Sequence, residues 1–193
     1  MRLLIIGHSY VRNLYERGVT SFEFNGTLVH VRYVFKGGAS YDTYLNNPEL
    51  FNPIESENAD VVLVILAGNS IKNSVTNYQI YRQAVDFYQR LRIIFPWAIF
   101  VAAEVENRFY KPGNRWDCPV GQDYKLRRRA INNFLLKLKE KQYLLMVAGP
   151  GRMDNQELYH DEVHLTRAGL DKYWQIIVNT IGYVIKKNQH LAN

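Results

Sequence analysis

Seven consecutive apolar residues, Val61-Val62-Leu63-Val64-Ile65-Leu66-Ala67, constrain the fold of this chain more than any other feature. A β-branched run without polar alternation suits a strand buried on both faces, as in a parallel sheet covered by helices. Four more segments read as strands: Arg2–Ile6, Leu28–Phe35, Ala98–Val105 and Tyr143–Ala148. In Leu28–Phe35 the set Val29, Val31, Tyr33 and Phe35 is the more apolar, which predicts one better protected face. Helical periodicity fills the intervals. Ser9–Arg17 gathers Val11, Leu14 and Tyr15 before Gly18, and Asn77–Phe95 repeats Tyr81, Ala84, Val85, Tyr88 and Leu91 before Pro96. Asp123–Lys141 repeats Leu126, Ala130, Phe134 and Leu138. Thr166–Lys187 repeats Leu170, Tyr173, Trp174, Ile177, Ile181 and Val184, with Thr166 placed to cap it. Between the second and third strands Pro48 and Pro53 interrupt any helix. Strand–helix alternation of this kind predicts a three-layer α/β/α sandwich around a five-stranded parallel sheet with right-handed crossovers. Its 193 residues fit a single domain, 1–193.

Composition narrows the function classes. Apolar residues make up 47% and charged residues 22%, enough for a full core and too apolar for a disordered chain. No stretch is long and apolar enough for a transmembrane helix, and the opening Met1–Gly7 is too short for a signal peptide. The single cysteine, Cys118, forms no internal disulfide and excludes thiolate zinc clusters. A cytoplasmic or nuclear protein, or a domain of a larger one, is expected. The net charge of +6 permits weak contact with nucleic acid or an acidic surface without requiring it. The densest basic run, Lys125-Leu126-Arg127-Arg128-Arg129, opens a helical segment and reads either as a solvated face or as a partner patch.

In such sheets ligands bind beyond the carboxyl ends of the strands. Gly7-His8-Ser9 follows the first strand, Gly37-Gly38-Ala39-Ser40 the second, and Gly68-Asn69-Ser70 the third. A longer loop after the fifth reaches Asp161-Glu162-Val163-His164 before the last helix. Singly, each has an ordinary reading as a cap, a turn or a surface pair. Jointly, they can perform acyl transfer. A serine hydroxyl needs a base to take its proton, and His164 can be that base. Asp161, three residues earlier, can fix the imidazole tautomer. Ser9, at a strand-to-helix turn, would be the nucleophile, beside a helix N-terminus that favours negative charge. Backbone amides of Ser9 and Gly38, with the Asn69 side-chain amide, would form the oxyanion hole.

The order Ser, Gly, Asn, Asp-x-x-His resembles the four blocks of the SGNH hydrolase superfamily, the GDSL-type esterases and lipases. They stand here as Ile6-Gly7-His8-Ser9, Lys36-Gly37-Gly38-Ala39, Ala67-Gly68-Asn69-Ser70 and Asp161–Gly169. The last, DEVHLTRAG, is the most specific. The resemblance spans residues 3 to about 185. It implies a flavodoxin-like α/β/α fold, a triad of Ser9, Asp161 and His164, and Gly38 with Asn69 in the oxyanion hole. His8 replaces the family's GDS aspartate and Ser70 the aspartate after its asparagine, which alters support for the nucleophile turn. The opening GHSYVRNL also resembles esterase-type domains of some animal retrotransposon proteins, where they accompany nucleic-acid-binding modules.

The long polar loop Glu104–Gln122 is placed to shape a substrate pocket with Arg108, Tyr110 and Trp116, or to be an ordinary surface insertion. His160 and His164 are four apart, but the order is not HExxH and no third ligand is evident, so no metal and no cofactor are expected. The expected function is hydrolysis of a small acyl ester, an O-acetyl group or a short-chain lipid ester. The alternative is a catalytically weak interaction domain that holds nucleic acid through Lys125, Arg127, Arg128 and Arg129.

Overall fold

Side-chain alternation along the central strands decides the layering. In the computed structural model, which describes residues 1–113, 117–140, 146–148, 153 and 155–188, β1 (Arg2–Gly7) sends Leu3 and Ile5 into one apolar cluster and Leu4 and Ile6 into another. Strand β4 (Val61–Ile65) does the same, with Val61, Leu63 and Ile65 on one face and Val62 and Val64 on the other. All five β4 residues are buried, each worth about 1.5–3 kcal/mol against exposure. The remaining strands are β2 (Ser21–Phe24), β3 (Thr27–Phe35), β5 (Ile99–Ala103) and β6 (Met146–Ala148).

The sheet order is β2-β3-β1-β4-β5-β6. Five strands, β3, β1, β4, β5 and β6, run parallel, as the apolar runs predict. Residues 143–145 of the expected fifth run lie outside the described residues. The structure adds a sixth strand: β2 pairs antiparallel with β3 through a tight turn at Asn25 and Gly26, both at positive φ. That hairpin closes one edge of the sheet. The chain passes from β1 outward to β3, then returns across β1 to β4, so strand order reverses at the β1/β4 boundary.

Helices α1 (Ser9–Glu16) and α7 (Arg167–Lys187) cover one face, packing Val11, Leu14, Tyr173, Ile177 and Ile181 onto it. The other face is covered by α5 (Asn77–Ile94) and α6 (Gly121–Glu140), with the short helices α2 (Tyr41–Leu45) and α3 (Asn52–Glu55) around a 3₁₀ turn at Pro48–Phe51. The final short helix is α4 (Ala67–Ser70). Caps fall where polar side chains permit. Thr76 and Gln79 form a capping box on α5, and Thr166 accepts from the Gly169 amide at 3.1 Å. The buried stripe of α6 overlaps the expected one only in part: Leu138 faces the core and Phe134 packs against it, but Tyr124, Ile131 and Leu135 join them, whereas Leu126 is exposed. Leu126 lies outside that stripe because the Tyr124 ring, not its neighbour, packs edge-on to Tyr110 at 5.6 Å.

Candidate active site

The carboxyl ends of β1, β3 and β4 deliver their loops to one pocket of about 200 Å³, lined by Ser9, Gly38, Asn69, His164, Arg108 and Tyr110 among others. Ser9 opens α1 directly after β1, with His8 as the N-cap. Gly38, at φ +70°, turns the chain after β3 in a conformation that a side chain would strain. Asn69 sits in α4, after β4. Two ends of the chain, 155 positions apart at Ser9 and His164, thus line the same cavity.

The His164 loop is held by several ties. Tyr10 of α1 donates its hydroxyl proton to the Val163 carbonyl at 2.5 Å. Phe109 N–H donates to the Glu162 carbonyl at 2.9 Å, and Tyr159 pairs with Leu165 across the loop base. Asp161 Oδ1 accepts from the backbone amides of Val163 and His164, both at 2.6 Å, and Oδ2 lies 2.8 Å from His164 Nδ1. Burial alone would raise the Asp161 carboxyl. The hydrogen bonds from the His164 ring and from two amides outweigh it and hold the group down at about 2, so it is a carboxylate at neutral pH. A Nδ1–H donated to that carboxylate leaves Nε2 as the proton acceptor.

Close packing explains the glycine that ends the DEVHLTRAG block. A Cβ on Gly169 would clash with the Leu158 carbonyl oxygen, at the base of the same loop. Gly169→Ala is therefore expected to cost about 1–3 kcal/mol of stability. It should also shift the loop that carries Asp161 and His164. Thermal unfolding together with the NMR signals of the His164 amide and ring checks both effects.

Beneath the pocket lies a charged layer that the loop's polarity alone did not disclose. Arg108 and Glu106 form a buried ion pair at 3.1 Å. The same guanidinium donates to Asn69 Oδ1 at 2.8 Å and to the Tyr110 hydroxyl at 2.7 Å. Arg108 and Tyr110 line the pocket, and three of the Arg108 donors go to Asn69, Glu106 and Tyr110, while its buried Nε–H has no partner among the described residues. Trp116 lies outside the described residues. Asn69 Nδ2 donates to the Ala39 carbonyl at 3.1 Å, which uses one of its two protons.

His8 and Ser70, which stand where the family pattern has aspartates, are both buried. His8 Nδ1 accepts from the Tyr10 amide at 3.4 Å, doing part of the capping work of a carboxylate. Its Nε2 lies 4.0 Å from Glu106 Oε1, within ion-pair range if the ring were charged. Burial pushes the His8 imidazole down to about 4; Glu106 opposes that shift, while Arg108 and His164 add to it. The ring is therefore neutral at pH 7 and the contact is not an ion pair. Because the folded value is depressed, the unfolded chain takes up this proton first as pH falls from 6.5. Stability supplied by neutral His8 should be complete above that point and be lost between pH 6.5 and about 4. The whole effect is on the order of 3 kcal/mol. His8→Asn keeps a capping acceptor without a titrating group, so its denaturation midpoint should fall less than that of the parent across this window.

His160, Asp161 and His164 each offer a ligand atom, all within 4.8 Å of one another, and could hold a metal ion. Asp161 supplies the third ligand that sequence spacing alone did not reveal. Its Oδ2 is nonetheless already engaged by His164 Nδ1.

No family model and no curated protein matches the chain by sequence. Solved structures do match in shape. A lipase/acylhydrolase from Enterococcus faecalis superposes with a TM-score of 0.67 over 94% of this chain and 96% of its own, at 16% identity. A member of the lipolytic G-D-S-L family from Veillonella parvula gives 0.65 over 93% and 97%, at 14% identity. A GDSL-like lipase from Bacteroides thetaiotaomicron gives 0.64 over 95% and 88%, at 13% identity. The chain has the fold of these proteins, the α/β/α fold that the resemblance to SGNH hydrolases implies.

Proposed function

We propose that the protein is a metal-independent serine esterase acting on small acyl esters, an O-acetyl or short-chain ester, through an acyl-Ser9 intermediate. The observation that carries this reading is the convergence of Ser9, Gly38, Asn69 and His164 on one small pocket, with Asp161 2.8 Å from the far side of the imidazole. A volume of about 200 Å³ suits a short acyl group better than a long chain. Similarity of fold to lipases and acylhydrolases points the same way.

Ser9 Oγ attacks the ester carbonyl carbon while its proton passes to His164 Nε2. The oxyanion that forms accepts from the Ser9 and Gly38 amides and from the second Asn69 amide proton. Asp161 keeps its charge beside the imidazolium throughout. Collapse of the tetrahedral species breaks the bond to the alcohol oxygen, which leaves with the proton from His164. Water then repeats the sequence on the acyl-enzyme: His164 takes its proton, the acid departs, and Ser9 Oγ recovers the hydrogen.

The test is a pre-steady-state burst with a chromogenic acetate ester in chelator, followed by labelling with a fluorophosphonate. A burst stoichiometric with protein and a label mapped to Ser9 are expected. Absence of turnover across a broad ester panel would instead favour a non-catalytic binding domain on this fold.

A further inference from the structure

A second cavity, of about 530 Å³, adjoins the acyl pocket; Arg108 and Tyr110 line both. Its walls come from the segment after β5, from the first half of α6 and from Gln156. They carry Lys111, Lys125, Arg128 and Arg129 around the buried Arg108, with no carboxylate among the described lining residues. Ten such residues drawn from a chain with 24 basic and 18 acidic side chains would carry about one of each sign, so five basic residues and no acidic one in the lining is a concentration of charge, even with Arg108 paired to the buried Glu106.

The basic run of α6 is divided by the fold. Arg127 points elsewhere and is structural: it donates to Asn77 Oδ1 at 2.9 Å, to the Lys72 carbonyl at 2.5 Å and to the Val75 carbonyl, tying α6 to the loop before α5. Arg128 sits beside the half-buried Glu104, whose carboxylate offsets part of its charge. Lys125 and Arg129 are exposed at the groove. Cations gathered in a concave surface focus the field on an anion within reach. Arginine forks fit phosphate oxygens two at a time, and lysine adds a mobile point charge.

We propose that this groove recognises phosphate, so that the preferred substrate is a small ester whose alcohol portion carries a phosphate group. The acyl group would occupy the pocket at Ser9 while the alcohol passes Arg108 and Tyr110 into the groove. This substrate class rests on the esterase reading above; the groove itself does not.

The test compares the butyryl ester of glycerol phosphate with the butyryl ester of glycerol, which differ only in the phosphate. At low salt the phosphate ester should show a kcat/KM about tenfold higher, and the preference should fade as ionic strength rises. Lys125→Gln with Arg129→Gln should erase the preference and leave turnover of the neutral ester unchanged. Equal kcat/KM for the two esters, or a preference that survives both substitutions, overturns the proposal. Glycerol phosphate titrated into isotope-labelled protein and followed by NMR gives a readout independent of catalysis, with shifts expected at Lys111, Lys125 and Arg129 in the parent only. Binding without turnover of either ester would sink the esterase reading and keep the phosphate site. Turnover without binding or preference would do the reverse. An oligoribonucleotide that binds these side chains when glycerol phosphate does not would overturn the phosphate-ester assignment in favour of a nucleic-acid surface.

Discussion

Replacing Ser9 by alanine should reduce ester turnover by on the order of 10⁶-fold while leaving the fold intact. Ser9 is the first residue of α1, half-buried, and the cap is supplied by His8, so the substitution removes one oxygen and no helix contact. Alanine is the better helix former at that position. Circular dichroism and the thermal midpoint should therefore match the parent, which separates chemistry from misfolding. His164→Ala should cost about as much, because a serine without its base and a base without its serine fail at the same step. The double variant should be little worse than either single one. That non-additivity distinguishes a shared proton transfer from two independent binding contacts, whose losses would multiply. Full turnover in Ser9→Ala would end the acyl-enzyme mechanism outright.

What was legible in the sequence follows from where the physics is local. Val61–Ile65 reads as a central strand because burial on both faces leaves no polar position, and β4 is buried at every residue. Thr166 reads as a cap because it directly precedes the helical run, three residues before the Gly169 amide, and the contact is present. The four-block order of polar residues at strand ends could be read because a parallel sheet gathers the carboxyl ends of its strands at one rim. By contrast β2 went unread: a four-residue edge strand buries little, and its signal, Asn25-Gly26 between Phe24 and Thr27, is a turn rather than an apolar run. The α6 stripe was displaced because two helical registers of apolar residues overlap there, and only packing against Tyr110 and the core selects one. Arg108 was visible as a pocket residue, but its bond to Asn69, 39 positions away, depends on β4 and β5 lying side by side. Likewise the Tyr10 tie to Val163 joins residues 153 apart. No spacing rule anticipates such a contact.

The Arg108–Asn69 contact sets up the second large effect, a loss of about 10²–10³ in kcat for Asn69→Ala, the usual cost of removing one oxyanion donor. Two explanations of such a loss must be separated. Asn69 Oδ1 accepts from Arg108 Nη2 at 2.8 Å, so alanine also strips a buried guanidinium of a partner and could disturb the pocket indirectly. Asn69→Asp resolves this. It preserves shape and keeps an oxygen facing Arg108, now as a carboxylate beside a charged guanidinium, although its second oxygen replaces the amide that donates to the Ala39 carbonyl. If Asn69 only positions Arg108, aspartate should restore much of the rate. If its amide proton stabilises the oxyanion, aspartate should be as damaging as alanine or worse, since it supplies no donor and adds a negative charge where negative charge develops. The hydrogen bond from a cation to the amide oxygen also polarises the amide and strengthens its remaining proton as a donor. We expect the second outcome, with both variants folded by circular dichroism, KM for a neutral acetate ester little changed in both, and the loss confined to kcat. A rate for Asn69→Asp near that of the parent would demote Asn69 from the oxyanion hole to a strut for Arg108.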